Sequence, residues 1–358
     1  MTRQPIHCDI FCAVVDNYGD AGVCWRLARQ LAHEHGWRAR LWIDDPAPLR
    51  QLAPDHAGGP VEVRLWPRSW PCPRPVAETA DVVIEAFACH LPPGYVEAMA
   101  SRAPAPVWLN LEYLSAEDWV AGCHGLSSPD PRLPLVKHFF FPGFGEATGG
   151  LLRERGYDAR REAFDEALFR DEFGIPPRAA GELTVSLFSY ENPALPELMR
   201  AWAAWATPER PIRLLLPGGS AAAPASGSPA GSLGVHALPF LPQARYDELL
   251  WACDLNFVRG EDSFVRAQWA AKPFVWQVYP QAEAAHLAKL EAFLSRHPAG
   301  AQLAAFWRAW NGQGALDWPA FAASLPGLKA PMQQWATTLA ARPDLAGKLV
   351  QFCLERLK

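Results

Sequence analysis

The chain has 358 residues, half of them hydrophobic, with a formal net charge of −5. That length exceeds what a single core keeps growing to fill, so two domains are expected, and the acidic balance argues against a nucleic-acid binder driven by phosphate neutralisation. Eight scattered cysteines without a CxxC pair argue against a disulfide scaffold and fit buried thiols in a reducing cytoplasm.

The first residues contain no long apolar stretch, and no later run approaches the roughly 18 residues that span a bilayer, so neither secretion nor a membrane span is expected. Residues 8–15 read as a buried strand. Val23, Leu27 and Leu31 then recur at intervals of four, which predicts a helix over residues 21–33. Between them lies Asp16-Asn17-Tyr18-Gly19-Asp20, a glycine-containing loop joining strand to helix. Further strands are predicted at 40–43, 61–66, 81–86 and 106–110, and the alternation with helical pieces implies a doubly wound parallel sheet. His90, Glu112, His124 and His138 lie in this half without the spacing of a metal pair. From Lys137 the sequence turns aromatic and glycine-punctuated, and a charged helix-prone stretch then ends at Pro176-Pro177, where the domain boundary is expected.

The second half repeats the pattern. Strands are predicted at 183–188, 212–216, 235–240, 255–258 and 274–278, with helices at 194–205 and 246–252 and several helical pieces from 283 to 357. Residues 218–234 are almost wholly Gly, Ala, Ser and Pro, a composition that reads as a mobile surface loop with no chemistry-bearing residues. Arg259-Gly260-Glu261-Asp262-Ser263 packs ionisable and hydroxyl groups between a strand and a helix. Such residues can serve merely to cap and charge-balance the helix start. They also suit a ligand site, because ligands of open α/β sheets sit beyond the carboxyl ends of strands, where helix N-termini favour anions.

Candidate groups follow strand after strand in this half: Tyr190 after the first, Gln243 after the third, and Arg259 to Ser263 after the fourth. An aromatic face for a base, an amide for its edge, and an arginine with a helix N-terminus for a diphosphate together describe a nucleotide-diphosphate pocket. Neither GxGxxG nor GxxxxGK[ST] occurs, which disfavours dinucleotide and P-loop readings. In the first half Asp16 and Asp20 supply carboxylates suited to catalysis, although Asp20 equally suits an N-cap for a helix starting at Ala21. The residues alone therefore reach a two-domain nucleotide-dependent transferase. A non-catalytic nucleotide-sugar or protein-binding module is the alternative, and donor binding without transfer would identify it. A nucleotide-sugar epimerase or reductase would instead carry a dinucleotide.

Several long runs carry a more specific resemblance: 16–31, 110–119, Phe141-Pro142-Gly143-Phe144, 190–195 and 259–269. Together, over residues from about 8 to 296, they resemble the protein-arginine rhamnosyltransferases that modify translation elongation factor P. The resemblance implies a GT-B-like α/β fold of two Rossmann-like doubly wound domains facing a central cleft. It implies domains at 1–175 (acceptor side) and 182–330 (nucleotide-sugar donor), with a helical segment at 331–358 packing back on the first. It further implies an inverting enzyme that uses dTDP-β-L-rhamnose, needs no metal or other cofactor, and modifies one loop arginine in the N-terminal domain of elongation factor P, activating it for ribosomes stalled at polyproline. Carried over by position, Asp20 matches the catalytic carboxylate and Glu261 the second essential acid. Asp16, Asn17, Tyr18 and Gly19 match the sugar-side loop. Phe188, Tyr190, Phe240, Leu241, Pro242, Gln243 and Tyr246 match the thymidine site, and Arg259, Gly260, Asp262 and Ser263 the diphosphate site. Tyr18 and Tyr246 stand where phenylalanine is expected in many relatives.

Overall fold

The computed structural model describes residues 5–16, 18–66, 79–221, 231–281 and 285–357. It divides into two units, Met1–Arg155 with Arg342–Lys358, and Gly156–Ala341. In the first unit, β1 (His7–Cys12), β2 (Arg38–Ile43), β3 (Glu62–Leu65), β4 (Val82–Ala86), β5 (Val107–Leu111), β6 (Ser127–Pro129) and β7 (Val136–Phe140) form one sheet. Their order is β3-β2-β1-β4-β5-β7-β6. Every pair is parallel except β6 with β7. Strands β4 and β5 are buried along their whole length. Their apolar runs do not alternate, which suits strands covered on both faces.

Helix α1 (Tyr18–His35) follows β1, then α2 (Ala47–Leu52), α3 (Pro93–Ala100) and α4 (Trp119–Cys123). The predicted helix start at Ala21 moves three residues upstream, so Asp20 lies inside the first turn and is not the N-cap. The sheet order reverses between β1 and β4, the position beyond which such sheets bind ligands.

The second unit holds α5 (Tyr157–Glu162), α6 (Glu166–Glu172), β8 (Leu183–Leu187), α7 (Leu195–Trp205), β9 (Ile212–Leu216), β10 (Leu233–Ala237), α8 (Gln243–Ala252), β11 (Leu255–Arg259), α9 (Asp262–Ala270) and β12 (Phe274–Gln277). Helices α10 (Ala285–Arg296), α11 (Gly300–Trp310) and α12 (Trp318–Ala340) complete it. Its strands run parallel in the order β10-β9-β8-β11-β12, with the reversal between β8 and β11. Tryptophans concentrate in its core: Trp202, Trp307, Trp310 and Trp318 are at most 1% exposed.

The boundaries expected at 175 and 331 are corrected on both sides. Helices α5 and α6 belong to the second unit, where Tyr157 packs edge-on against Trp251 and accepts its indole N–H at 2.8 Å. Arg170 bonds Glu182 in the same unit. At the other end, residues 331–341 remain in the second unit within α12, and only the chain from Arg342 returns to the first. There α13 (Leu345–Leu354) packs on α1. Gln30 on α1 donates to Asp344 Oδ1 at 2.9 Å and to the Arg153 carbonyl at 2.9 Å. Gly150 has φ +78°, and a Cβ there would meet the Pro343 carbonyl oxygen at 2.9 Å, so only glycine admits the returning chain. Among the described residues no helix is long and apolar enough to cross a membrane.

Candidate active site

Two groups of side chains stand at the carboxyl ends of the two sheets, one in each unit. In the first, the β1–α1 connection is folded around Asp20. The carboxylate is 2% exposed. Its Oδ2 accepts the backbone N–H groups of Val15 and Asp16, each at 2.8 Å, and its Oδ1 accepts the Tyr113 hydroxyl at 3.2 Å. Asp20 thereby ties the loop ahead of α1 to the segment after β5, and its oxygens are held in fixed directions. The Gly19 N–H donates to the Asp16 carbonyl at 2.6 Å. A Cβ on Gly19 would fall 2.5 Å from Asp16 Oδ2, so the close approach of that carboxylate depends on glycine. Tyr18 directs its hydroxyl away to Gln51 Oε1 on α2, at 2.7 Å. Asn17 lies outside the described residues.

In the second unit, the strand–loop–helix reading of the Arg259 region holds. Gly260 turns the chain at φ +58°, and Glu261 precedes α9 without a side-chain capping bond. Ser263 reaches back instead: its Oγ accepts the Arg259 N–H at 2.9 Å and donates to the Arg259 carbonyl. The Arg259 guanidinium lies over two rings, 4.2 Å from the centroid of Phe188 and 4.5 Å from that of Tyr190. Nη1 donates to the Ser189 carbonyl and Nη2 to the Gly219 carbonyl, both at 3.1 Å. Two of its five N–H donors are so used, and the rest have no partner among the described residues.

The other predicted residues join this cluster. Tyr246 packs against Phe188 with centroids 5.6 Å apart. Burial, aided by the nearby Asp262 carboxylate, raises its phenol well above the ordinary value, so it stays a neutral hydroxyl. Gln243 opens α8 and donates to Asp262 Oδ2 at 3.2 Å, joining the start of α8 to the start of α9. Leu241 is buried, while Phe240 and Pro242 are half-buried. The backbone of Phe240 approaches Gly218 so closely that a Cβ on the glycine would meet its nitrogen at 2.6 Å.

Sequence reasoning missed the contribution of residues 217–221. The 218–234 stretch was expected to carry no chemistry, and its residues 222–230 lie outside the described part. Its first turn is nevertheless laced into the site. Besides Gly219 holding Arg259, Ser220 Oγ accepts the Ser189 N–H at 3.3 Å, and Ala221 donates to the Ser189 carbonyl at 3.1 Å. Ser189 itself is fully buried, and its Oγ has no partner among the described residues. An orphaned buried hydroxyl just past the carboxyl end of a strand has room for a polar visitor. Gln277 was also missed; it accepts the Tyr190 N–H at 2.9 Å and donates to the Glu191 carbonyl at 3.3 Å. Glycine- and serine-rich composition conceals such roles, because they depend on close approach and backbone carbonyls rather than on side-chain chemistry.

Deleting residues 222–230 while keeping 217–221 is expected to leave donor KM within about twofold, since loop closure entropy changes slowly with length. A deletion that starts at Gly219 removes the carbonyl facing Arg259 and is expected to raise donor KM by about tenfold, the scale of one hydrogen bond to a charged group. Steady-state kinetics on both deletions decides it: an unchanged KM in the longer one contradicts the role of the turn.

Among the described residues no group of three or more His, Cys, Asp or Glu is arranged to hold a metal ion. What the two clusters offer is a buried, oriented carboxylate in one unit and an aromatic, cationic berth in the other.

Comparison with known proteins identifies the family. The family model described as Elongation-Factor P (EF-P) rhamnosyltransferase EarP matches residues 8–354. A protein-arginine rhamnosyltransferase of Pseudomonas aeruginosa is 48% identical over 377 residues, covering 96% of this chain and 98% of the relative. A solved structure described as the basis for EarP-mediated arginine glycosylation of translation elongation factor EF-P aligns with TM-score 0.66 and 34% identity, covering 98% of this chain and 99% of that one. The calicheamicin glycosyltransferase CalG4 aligns with TM-score 0.52 at 18% identity over 99% and 100% of the two chains, a likeness of the GT-B fold alone.

Proposed function

This chain belongs to the EF-P rhamnosyltransferase family and is a protein-arginine rhamnosyltransferase, and we propose that it transfers L-rhamnose from dTDP-β-L-rhamnose to one loop arginine in the N-terminal domain of EF-P, in the cytoplasm. The product would be an α-linked rhamnosyl-arginine, formed with inversion, on a factor thereby activated for ribosomes stalled at polyproline. The observation that carries this reading is the clustering of Phe188, Tyr190, Gln243 and Tyr246 around Arg259 at the reversal point of the second sheet. A pyrimidine base suits the aromatic faces, and the unused N–H donors of Arg259, with the start of α9 behind them, suit a diphosphate.

The chemistry then follows from the acceptor. A guanidinium is protonated at physiological pH and its lone pairs are delocalised, so it is a poor nucleophile until a carboxylate orients it and removes a proton. Asp20, buried and held by three hydrogen bonds, takes that role. As the arginine nitrogen bonds the anomeric carbon, its proton passes to Asp20, and the carbon–oxygen bond to the diphosphate breaks with its electron pair moving onto the leaving group. Arg259 and the N-terminus of α9 offset the negative charge that grows there. Glu261, beside them, is the second acidic group of the reading.

The test is direct. Purified protein, dTDP-rhamnose and EF-P are mixed, and the intact mass of EF-P is read before and after; a gain of one deoxyhexosyl residue on arginine is expected. Donor binding without any mass gain would instead select a non-catalytic module. Activity is expected to persist in excess EDTA, because Arg259 and the helix N-terminus provide the positive potential at the leaving group. Loss of activity that added magnesium restores would overturn metal independence.

A further inference from the structure

Strand β4 ends at Ala86, and three of the next four residues adopt the left-handed region without being glycine: Phe87 at φ 56°, Ala88 at 53° and His90 at 57°. An L side chain is sterically disfavoured there, so such a turn persists only where its surroundings over-determine it. They do. Phe87 N–H donates to the Leu111 carbonyl at 2.7 Å, Ala88 N–H to Asn110 Oδ1 at 3.1 Å, and His90 N–H to Glu85 Oε1 at 3.0 Å. Asn110 and Glu85 are 2% and 1% exposed, and Glu85 is anchored in turn by Lys137 at 2.8 Å. Two buried polar side chains are thus committed to a turn that glycine would form without help.

What the turn achieves is the placement of one ring. Phe87 lies flat on Tyr113, centroids 4.3 Å apart and planes 14° apart, and both residues are half-buried. The hydroxyl of the same Tyr113 donates to Asp20 Oδ1. Among the described residues that oxygen accepts from Tyr113 alone, whereas Oδ2 already holds two backbone N–H groups. A guanidinium that donates a hydrogen bond to Oδ1 therefore arrives beside the aromatic pair.

Building on the arginine-acceptor reading above, we propose that the Phe87–Tyr113 pair is the wall against which the acceptor guanidinium lies, and that Tyr113 is the positioning residue that aims Asp20 Oδ1 at it. A guanidinium is planar, delocalised and weakly hydrated, and it stacks on aromatic faces; an ammonium is compact and strongly hydrated. The wall therefore selects arginine over lysine. The chain shows the same preference elsewhere, in Arg259 between Phe188 and Tyr190.

The strained backbone makes the test sharp. Phe87→Gly relieves a left-handed residue, so it is expected to melt no lower than wild type by more than the lost ring contact explains, and to bind dTDP unchanged by calorimetry. Its KM for EF-P is expected to rise about tenfold or more, the scale of a desolvated cation–π contact. Phe87→Leu keeps an apolar side chain without a flat face and is expected to raise the acceptor KM likewise. Ala88→Gly and His90→Gly relieve the same turn and keep the wild-type acceptor KM. Tyr113→Phe keeps the ring but drops the hydroxyl. Its kcat is expected to fall about tenfold with little change in acceptor KM, the split expected when a base is misaimed while the acceptor surface stays intact. An acceptor KM at the wild-type value in both Phe87 variants overturns the wall, as does an equal rise in Ala88→Gly. A wild-type kcat in Tyr113→Phe, or an acceptor KM that rises as much as kcat falls, overturns the positioning role. The wild-type reaction separates these failures from the parent reading: no rhamnosyl-arginine on EF-P in wild type sinks the acceptor assignment and the wall together, while normal wild-type transfer with unmoved variants sinks the wall alone.

Discussion

Asp20→Asn is expected to slow single-turnover transfer by ~10²- to 10⁴-fold, the range of a lost general base, with dTDP affinity within about twofold of wild type. The substitution keeps the size of the side chain and one acceptor oxygen, so the N–H groups of Val15 and Asp16 that Oδ2 receives stay satisfied. The new amide nitrogen meets the Tyr113 hydroxyl, which rotates to accept instead of donating. The cost in stability is on the order of 1 kcal/mol, that of weakening a charge-assisted bond to a neutral one. Turnover suffers far more, because an amide neither removes a proton from a guanidinium nor opposes its charge. Melting temperature, calorimetric dTDP affinity and single-turnover transfer on one preparation decide the matter. If turnover stays near wild type, Asp20 only ties down the loop ahead of α1, and Glu261 becomes the next candidate for the base.

Arg259→Ala is expected to weaken dTDP and dTDP-rhamnose together by about 10- to 100-fold, the value of a hydrogen-bonded charge on a diphosphate. The shared loss is the diagnostic, since both ligands present the same two phosphates. The structure adds a second component. The guanidinium also bridges the Ser189 and Gly219 carbonyls and fills the space between Phe188 and Tyr190, so its removal loosens the aromatic berth. Arg259→Lys separates the two effects: it keeps the charge but loses the planar fork, and is expected to fall between wild type and alanine. Calorimetry that finds dTDP affinity unchanged in Arg259→Ala would remove the residue from the diphosphate site.

Much of the fold was legible because the strands are short and β-prone and because α1 repeats its leucines at helical spacing. The β9 bounds match their prediction outright. Strand β6 was not legible: it is three exposed residues, Ser127–Pro129, paired only at the sheet edge, and carries no apolar signal. Pro176-Pro177 misplaced the boundary because prolines mark a break in local structure, whereas unit membership follows from long-range contacts such as Tyr157 with Trp251. Helix α12 contains Pro326 and Pro331, residues that read as interruptions, yet it runs through both. At the site, residue types announced Arg259, Gln243 and the aromatic berth. The orphaned Ser189 hydroxyl, the Gly219 carbonyl and the left-handed Phe87 gave no such sign, since burial, backbone direction and positive φ at a phenylalanine are set by neighbours distant in sequence.

The return of α13 to α1 bears on how the protein is made. The second unit is one uninterrupted stretch, whereas the first is closed by a helix translated after it. At about 5–20 residues per second, the stretch from Gly156 to Ala341 takes roughly 10–40 s to synthesise. During that interval Gln30 waits for Asp344, and the face of α1 that α13 later covers stays uncovered. The unit that begins first is therefore the one that finishes last.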